Sequence, residues 1–425
     1  MLYKELKDGL IARQAVEADL QAIIDLNHRL HDDGHWTETL ANGSHPTTKI
    51  SDFFVVEDLI QGRIVSTTCL IPQTWAYDGM DFAVARPDLV GTDPEYRRRG
   101  LVRELFGLVH AHSEQQGHLV QAIVGRPWFY RQFGYTIALP YGGSLLIAAR
   151  DIPETNPVET EPFHIRAATA ADAGTIRRVY DLNRKDSLIS CVREEKLWTY
   201  EMLERGNPEE RILHRIIEDA QGEAVGWMLH MPRVTDGEFV TFMAEALPHV
   251  SWLRLGPSLL RYLLRTGQTL AEAKGERLKT LSIVGEGQPL HQVLPELLTR
   301  TEPSYAWYLR VPDLPRFLRV ISPVLEQRLA ASVGRGYSGE LAISFYQQGL
   351  IIAFQDGRIV DIRDLPFDVR TDARMPQDDF IKLLFGYRSL SELHNNYPEV
   401  SAVNQARLLL EALFPKSRSR ILSVC

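Results

Sequence analysis

Hydrophobic and polar positions change period along the chain, and each change marks an element. Leu101, Val102, Leu105, Leu108 and Val109 fall at i, i+1, i+4, i+7 and i+8. That spacing gathers them on one face of a helix, which stops at Gly117, and residues 118–124 read as the next strand. Residues 53–71 (FFVVEDLIQGRIVSTTCLI) give a β-rich run, a Gln-Gly turn and a second β-rich run. Residues 214–229 (HRIIEDAQGEAVGWML) repeat that layout with one residue fewer before the turn, and both predict β-hairpins. Residues 339–362 give three β-rich runs broken at Gln-Gly and Asp-Gly, and helical spacing returns over 377–393 and 402–414. The last third is therefore predicted as α+β, a meander with helices on one face.

Residues 151–163 (DIPETNPVETEPF) hold three prolines and four acids, which reads as a linker because proline fixes φ and removes a donor. Residues 164–176 (HIRAATAADAGTI) then echo residues 11–23 (IARQAVEADLQAI). Arg13/Arg166, Ala15/Ala168, Asp19/Asp172 and Ile23/Ile176 share one offset. Each copy predicts a strand running into a helix with an acid in its first turn, where the helix dipole favours negative charge. With the hairpins following in the same order, the fold class is α/β (α+β). Two related mixed-sheet domains, residues 1–150 and 164–312, stand in tandem ahead of a third over 313–425.

Composition narrows the function classes. The 425 residues are 44% hydrophobic and 24% charged, as in soluble globular domains, and the net charge is −8. That balance disfavours nucleic acid or an anionic membrane as partner. No apolar run approaches the ~18–20 residues of a membrane span, and the first residues lack the apolar core of a secretion signal. Cys69, Cys191 and Cys425 are far apart and odd in number, which suggests neither a disulfide framework nor a zinc site. A reduced, cytoplasmic protein is expected.

Residues 93–106 (DPEYRRRGLVRELF) place three arginines and a glycine where the helix begins. Cations at a helix N-terminus oppose the dipole, so a merely solvated cluster is unfavourable there unless an anion binds. The unpaired N–H groups of a strand–loop–helix junction bind anions. Gly100 lets phosphate oxygens approach the backbone, and guanidinium forks suit phosphate. The stretch predicts a polyphosphate site.

Arg97-Arg98-Arg99-Gly100-Leu101-Val102 resembles the pyrophosphate loop of the Gcn5-related N-acetyltransferases, Gln/Arg-x-x-Gly-x-Gly/Ala, with Val102 at the last position. Residues 127–135 (PWFYRQFGY) are similar to the short helix, glycine stop and strand of the same enzymes. The order of RRRGL, FYRQFGY and YLRVPDL, and a final helix followed by about a dozen residues, resembles more narrowly the enhanced intracellular survival (Eis) acetyltransferases. The resemblance implies an active acetyltransferase domain, a degenerate second copy and a C-terminal domain like sterol carrier protein. It implies acetyl-CoA as cosubstrate, no metal, and a homo-oligomer such as a hexamer. The implied acceptors are primary amines, with aminoglycosides and other multi-amine compounds suggested by the resemblance and a peptide amine also open.

Acetyl transfer to an amine needs a held thioester, a deprotonated amine, oxyanion stabilisation and an acid for the departing thiolate. The resemblance points to Val90 and Thr92 for the pantetheine arm. Arg97, Arg98, Gly100 and Leu101 would hold the pyrophosphate, with Arg103 on an outer phosphate. Tyr130 stands at the motif position of the acid, and a phenol of pKa about 10 is protonated at neutral pH. As base the resemblance implies the chain's own C-terminal carboxylate, here that of Cys425, delivered to the first domain's site. A non-catalytic CoA or lipid sensor keeping the acetyltransferase fold is the alternative.

Two further segments carry expectations. The second copy has WLRLGPSLLRYLL (residues 252–264) near the matching place, with no Arg-x-x-Gly before its helix and with Pro257 removing a donor. It is expected to bind no acetyl-CoA. Residues 27–45 carry four histidines and several acids whose spacing fits no compact metal set. They read as a loop lining the acceptor channel, where Asp32, Asp33 and Glu38 would attract a cationic amine.

Overall fold

Phe53, Phe54, Val55 and Val56 are all buried, and they part to opposite faces of one sheet. Phe54 and Val56 pack with Leu101, Leu105 and Val109 of the Leu101–Gln115 helix. Phe53 and Val55 pack with Ile23, Leu26 and Leu40 of the Leu20–His31 and Gly34–Ala41 helices. A sheet covered on both faces explains why this strand is an unbroken apolar run. The computed structural model describes residues 2–31, 34–152, 161–205, 211–285, 288–293, 300–366 and 370–423.

Among the described residues there are three mixed or antiparallel sheets and eleven α-helices. In the first sheet the strands Tyr3–Glu5, Leu10–Gln14, Phe53–Asp58, Arg63–Tyr77, Met80–Thr92 and Val120–Ile123 follow one another. Tyr305–Arg310 and Thr136–Tyr141 continue it, and Ile189–Cys191 pairs with the Trp75–Tyr77 end of Arg63–Tyr77 as the ninth strand. The second sheet takes Ser144–Ala148 between Arg300–Glu302 and Thr280–Val284. Ser144–Ala148 thus crosses to the second sheet, Ile189–Cys191 and Tyr305–Arg310 cross to the first, and the sheets do not follow the sequence boundaries at 150 and 312. Tyr305–Arg310, which follows Arg300–Glu302 of the second sheet along the chain, lies in the first between Val120–Ile123 and Thr136–Tyr141.

The third sheet contains the predicted meander, Gly339–Ser344, Gly349–Gln355 and Arg358–Asp364. The helical stretch predicted over 377–393 is two helices, Gln377–Leu384 and Leu390–Asn396, parted near Gly386, whose φ is +64°. The core of this region runs without a break into the first sheet. Trp75, Tyr77, Phe82 and Val84 join Phe317, Ile321, Phe380 and Leu384 in one buried cluster. Tyr77 donates a hydrogen bond to the Leu384 carbonyl at 2.7 Å, and Arg328 pairs with Asp78 at 2.9 Å.

Beyond the Asn404–Leu413 helix the tail runs beside Ile189–Cys191. Leu188 N–H donates to the Arg418 carbonyl at 2.7 Å, and Arg420 N–H donates to the Ile189 carbonyl at 3.0 Å. Among the described residues no helix is long and apolar enough to cross a membrane.

Candidate active site

Among the described residues the Met80–Thr92 strand pairs in parallel with Val120–Ile123 only at Val84–Val120 and Ala85–Gln121, then runs on to Thr92 with only Arg63–Tyr77 beside it. The register with Arg63–Tyr77 slips beside Cys69, where Leu89 takes a left-handed φ of +50°. Such a bulge turns the strand away from its neighbour. The opening between the two strands is a cavity of about 580 Å³. Val90, Thr92, Arg97, Arg98, Gly100, Leu101, Arg103 and Tyr130 all line it, so the structure brings these sequence-predicted residues together. Cys425 lies outside the described residues.

At one end is the arginine–glycine loop. Gly100 is the N-cap of the Leu101–Gln115 helix with φ +77°, and Arg98 is also left-handed at φ +65°. A left-handed residue followed by a right-handed one turns successive N–H groups to one side, as in anion-binding nests. The amides of Gly100, Leu101 and Val102 have no acceptor among the described residues, and a Cβ at Gly100 would point into open space. Arg97 is steadied by a hydrogen bond from Nε to the Thr92 carbonyl at 3.2 Å, and Arg103 by one to Gln132 Oε1 at 2.8 Å. Among the described residues neither they nor Arg98 has a carboxylate partner. Arg99 instead lies over the Tyr96 ring, 4.7 Å from its centroid, and does not line the cavity.

At the other end, Tyr130 sits in the 3-10 turn Phe129–Phe133 and is 7% exposed. Its ring packs on Gly125, where a Cβ would overlap it, and against Phe106, Phe129 and Tyr308. The turn is held from the later strand: Trp128 N–H donates to the Tyr308 hydroxyl at 3.0 Å, and the Tyr305 hydroxyl to the Gly125 carbonyl at 2.7 Å. No hydrogen bond to the Tyr130 hydroxyl exists among the described residues. Burial, and secondarily the charge of Asp88, push the phenol up to about 12. Tyr135 next to it is core, its hydroxyl shared with His110 at 3.1 Å.

Asp88 is a cavity residue that the sequence did not reveal. It precedes the bulge, accepting from Leu89 N–H at 2.8 Å and pairing with Arg86 at 2.6 Å. An acid inside a strand was the available signal, but its direction depends on the register slip.

Residues 27–45, read as a loop, are mostly helix. Leu20–His31 and Gly34–Ala41 stand there, because their apolar residues Leu26 and Leu40 reach the core at helical spacing. Asp32 and Asp33 lie outside the described residues. Glu38 is more than half exposed beside His35, at 3.8 Å. Among the described residues no group of three His, Cys, Asp or Glu is placed to hold a metal.

The second copy has a comparable parting of parallel strands, after Thr241–Ile283 between Glu238–Ala246 and Thr280–Val284. There the buried Gln288 side chain fills the strand edge. Its Oε1 accepts from Ala244 N–H at 3.2 Å, and its Nε2 donates to the Phe242 carbonyl at 3.0 Å. The helix begins at Trp252 after Ser251, with Pro257 inside it rather than at its start. No left-handed glycine precedes it.

A second cavity of about 490 Å³ lies at that parting and is lined by Trp307, Tyr141, Arg205, His214 and the tail residues Ser419–Ser423. Arg86 stands between residues of the two linings, its guanidinium pairing with Asp88 and lying 5.9 Å from the centroid of Trp307.

Residues 12–138 match the acetyltransferase (GNAT) domain family. A search with the whole sequence against curated proteins gives no match. Solved structures resemble it over nearly its full length. A probable N-acyltransferase from Enterococcus faecalis V583 has 16% identity and a TM-score of 0.71, over 98% of this chain and 100% of that one. A GCN5-related N-acetyltransferase from Anabaena variabilis has 13% identity and a TM-score of 0.67, over 97% and 99%. Eis1 from Mycobacterium abscessus has 15% identity and a TM-score of 0.61, over 98% and 100%. At these identities the likeness shows the fold.

Proposed function

We propose that the protein is an acetyl-CoA-dependent N-acetyltransferase acting on a primary amine by direct attack. The observation that carries this reading is the loop at Arg97–Gly100, with open amides and unpaired guanidinium groups at a helix start. It is supported by the match of residues 12–138 to a family that uses acetyl-CoA. Bound acetyl-CoA supplies the activated acetyl thioester.

The chain's own groups divide the remaining work. The amides from Gly100 to Val102 and the side chains of Arg97 and Arg98 bind the diphosphate, and Arg103 reaches an outer phosphate. The open strand edge at Val90 and Thr92 pairs with the pantetheine amides as a sheet edge pairs with a peptide. Asp88 holds the incoming ammonium and receives its proton. Tyr130, kept neutral by burial, donates its proton to the sulfur as the carbon–nitrogen bond forms and the carbon–sulfur bond breaks, and the second proton of the nitrogen returns to its phenolate. Acetyl-S-CoA and R-NH3+ give the N-acetylated amine, HS-CoA and one released proton.

The last described tail residues line the second cavity, which supports the approach of the acceptor from that side. The test is thiol release on adding amines to protein and acetyl-CoA. Tyr130→Phe, which keeps the ring packing, is expected to slow release by about 100-fold or more. The affinity for acetyl-CoA should hardly change. Intact binding of acetyl-CoA with no release across a broad amine panel would turn the reading to a sensor.

A further inference from the structure

The charges around the second cavity do not suit a polycation. Glu201, on its wall, is taken by the fully buried Arg193. Glu245 is held by Arg420 at 2.8 Å. Among the described residues, Glu201 and Glu245 beside the cavity are thus each held by an arginine.

Arg205 differs. It lines the cavity and is half-buried, with its guanidinium over the Trp36 ring at 5.7 Å. Among the described residues it has no carboxylate or hydrogen-bond acceptor. A partly desolvated guanidinium without a partner is costly, and a bound anion offsets that cost. The buried His45 near both Arg86 and Arg205 stays neutral, with a pKa of about 4 set first by burial and then by those two cations. His214 on the same wall leaves Nδ1 without a partner. Tyr141, Phe242 and Trp307 add aromatic surface.

We infer that the acceptor amine also carries a carboxylate, bound at Arg205, with its ammonium end directed to Asp88. This rests on the acetyltransferase reading above and departs from the multi-amine class that resemblance implied. The carboxylate of such an acceptor meets Arg205 in the second cavity, while its ammonium faces the first, which Asp88 lines. A polyamine meets Arg205 with like charge.

The experiment uses the full chain with saturating acetyl-CoA, reading thiol release for pairs that differ only in the carboxylate. Tyrosine is set against tyramine, and glycyl-phenylalanine against its C-terminal amide, with spermidine and kanamycin as carboxylate-free polyamines. The expected result is a kcat/KM for the carboxylated member about 10-fold or more above its partner's, a charged hydrogen bond's worth. Arg205→Ala should bring that ratio toward one, chiefly through KM, and Arg205→Lys should restore part of it. The inference is overturned by better turnover of tyramine, the amide, spermidine or kanamycin, or by a ratio that Arg205→Ala leaves alone. It is equally overturned if no carboxylated probe is turned over. Turnover of the polyamines alone would leave the transferase reading standing, whereas failure to bind acetyl-CoA would remove that reading first.

Discussion

Arg13 and Arg166, matched by offset in the sequence, do the same work in their two domains. Arg13 holds Asp19 through two hydrogen bonds of 2.6 and 2.8 Å and Glu57 at 2.8 Å. Arg166 holds Asp172 through two of 2.8 Å and Glu218 at 2.6 Å. The acid at the helix start was legible as a dipole partner, but its arginine, six residues back across a turn, was not. Arg13 is 14% exposed and Arg166 34%. Replacing Arg13 with alanine should therefore cost more, about 2 kcal/mol against about 1 kcal/mol, since solvent screens the second pair more strongly. Denaturant midpoints of the two variants check that order. Tyr130 belongs to the same scale. Its pKa is raised, so the protonated phenol persists to higher pH than usual, and kcat should show no loss from this group between about pH 7 and about pH 10. A pH–rate profile of wild type against Tyr130→Phe reads this.

Among the elements, the loop and helix from Arg97 to Gln115 were readable because their signals are local: an apolar face at helical spacing and a glycine at the one position needing φ +77°. The strand before them was only half readable. Its extent followed from composition, but the slip beside Cys69 that frees Asp88–Thr92 arises from pairing with a strand it does not touch in sequence. Two glycines test the site's walls in different ways. At Gly100 an added Cβ meets nothing, so Gly100→Ala should cost about 1 kcal/mol for the left-handed backbone. It should also weaken acetyl-CoA binding by about 10-fold by occupying the phosphate approach. At Gly125 the Cβ would overlap Tyr130, so Gly125→Ala should lower kcat and leave acetyl-CoA affinity nearly intact. Calorimetric titration beside thiol release separates the two.

For the whole molecule, the buried histidines set an acid limit. Burial lowers His45 and His230 to about 4, and His110 and His214 to about 3, from 6.5. Depressed values mean that the unfolded chain binds more protons than the folded one below 6.5. The stability is thus complete above that pH and lost as pH falls through about 4 and then about 3. The melting temperature should drop steeply over that range, and His214→Gln should flatten the drop; scanning calorimetry across pH checks both.

The sequence by itself determined the class of most segments, residues 27–45 apart, and with them the repeat, the meander and the glycine-led helix start after Arg97–Arg99, because periodicity, turn chemistry and glycine act over a few residues. Tertiary structure decided which strands share a sheet. It alone sends Ser144–Ala148 one way and Tyr305–Arg310 the other, and carries the tail to the second cavity. Those choices depend on edges and faces contributed by distant parts of the chain, whose apolar patterns are alike and so do not name their partners. The Gln288 side chain against the second strand edge, and Arg205 facing a cavity with no carboxylate partner among the described residues, are consequences of the same assembly.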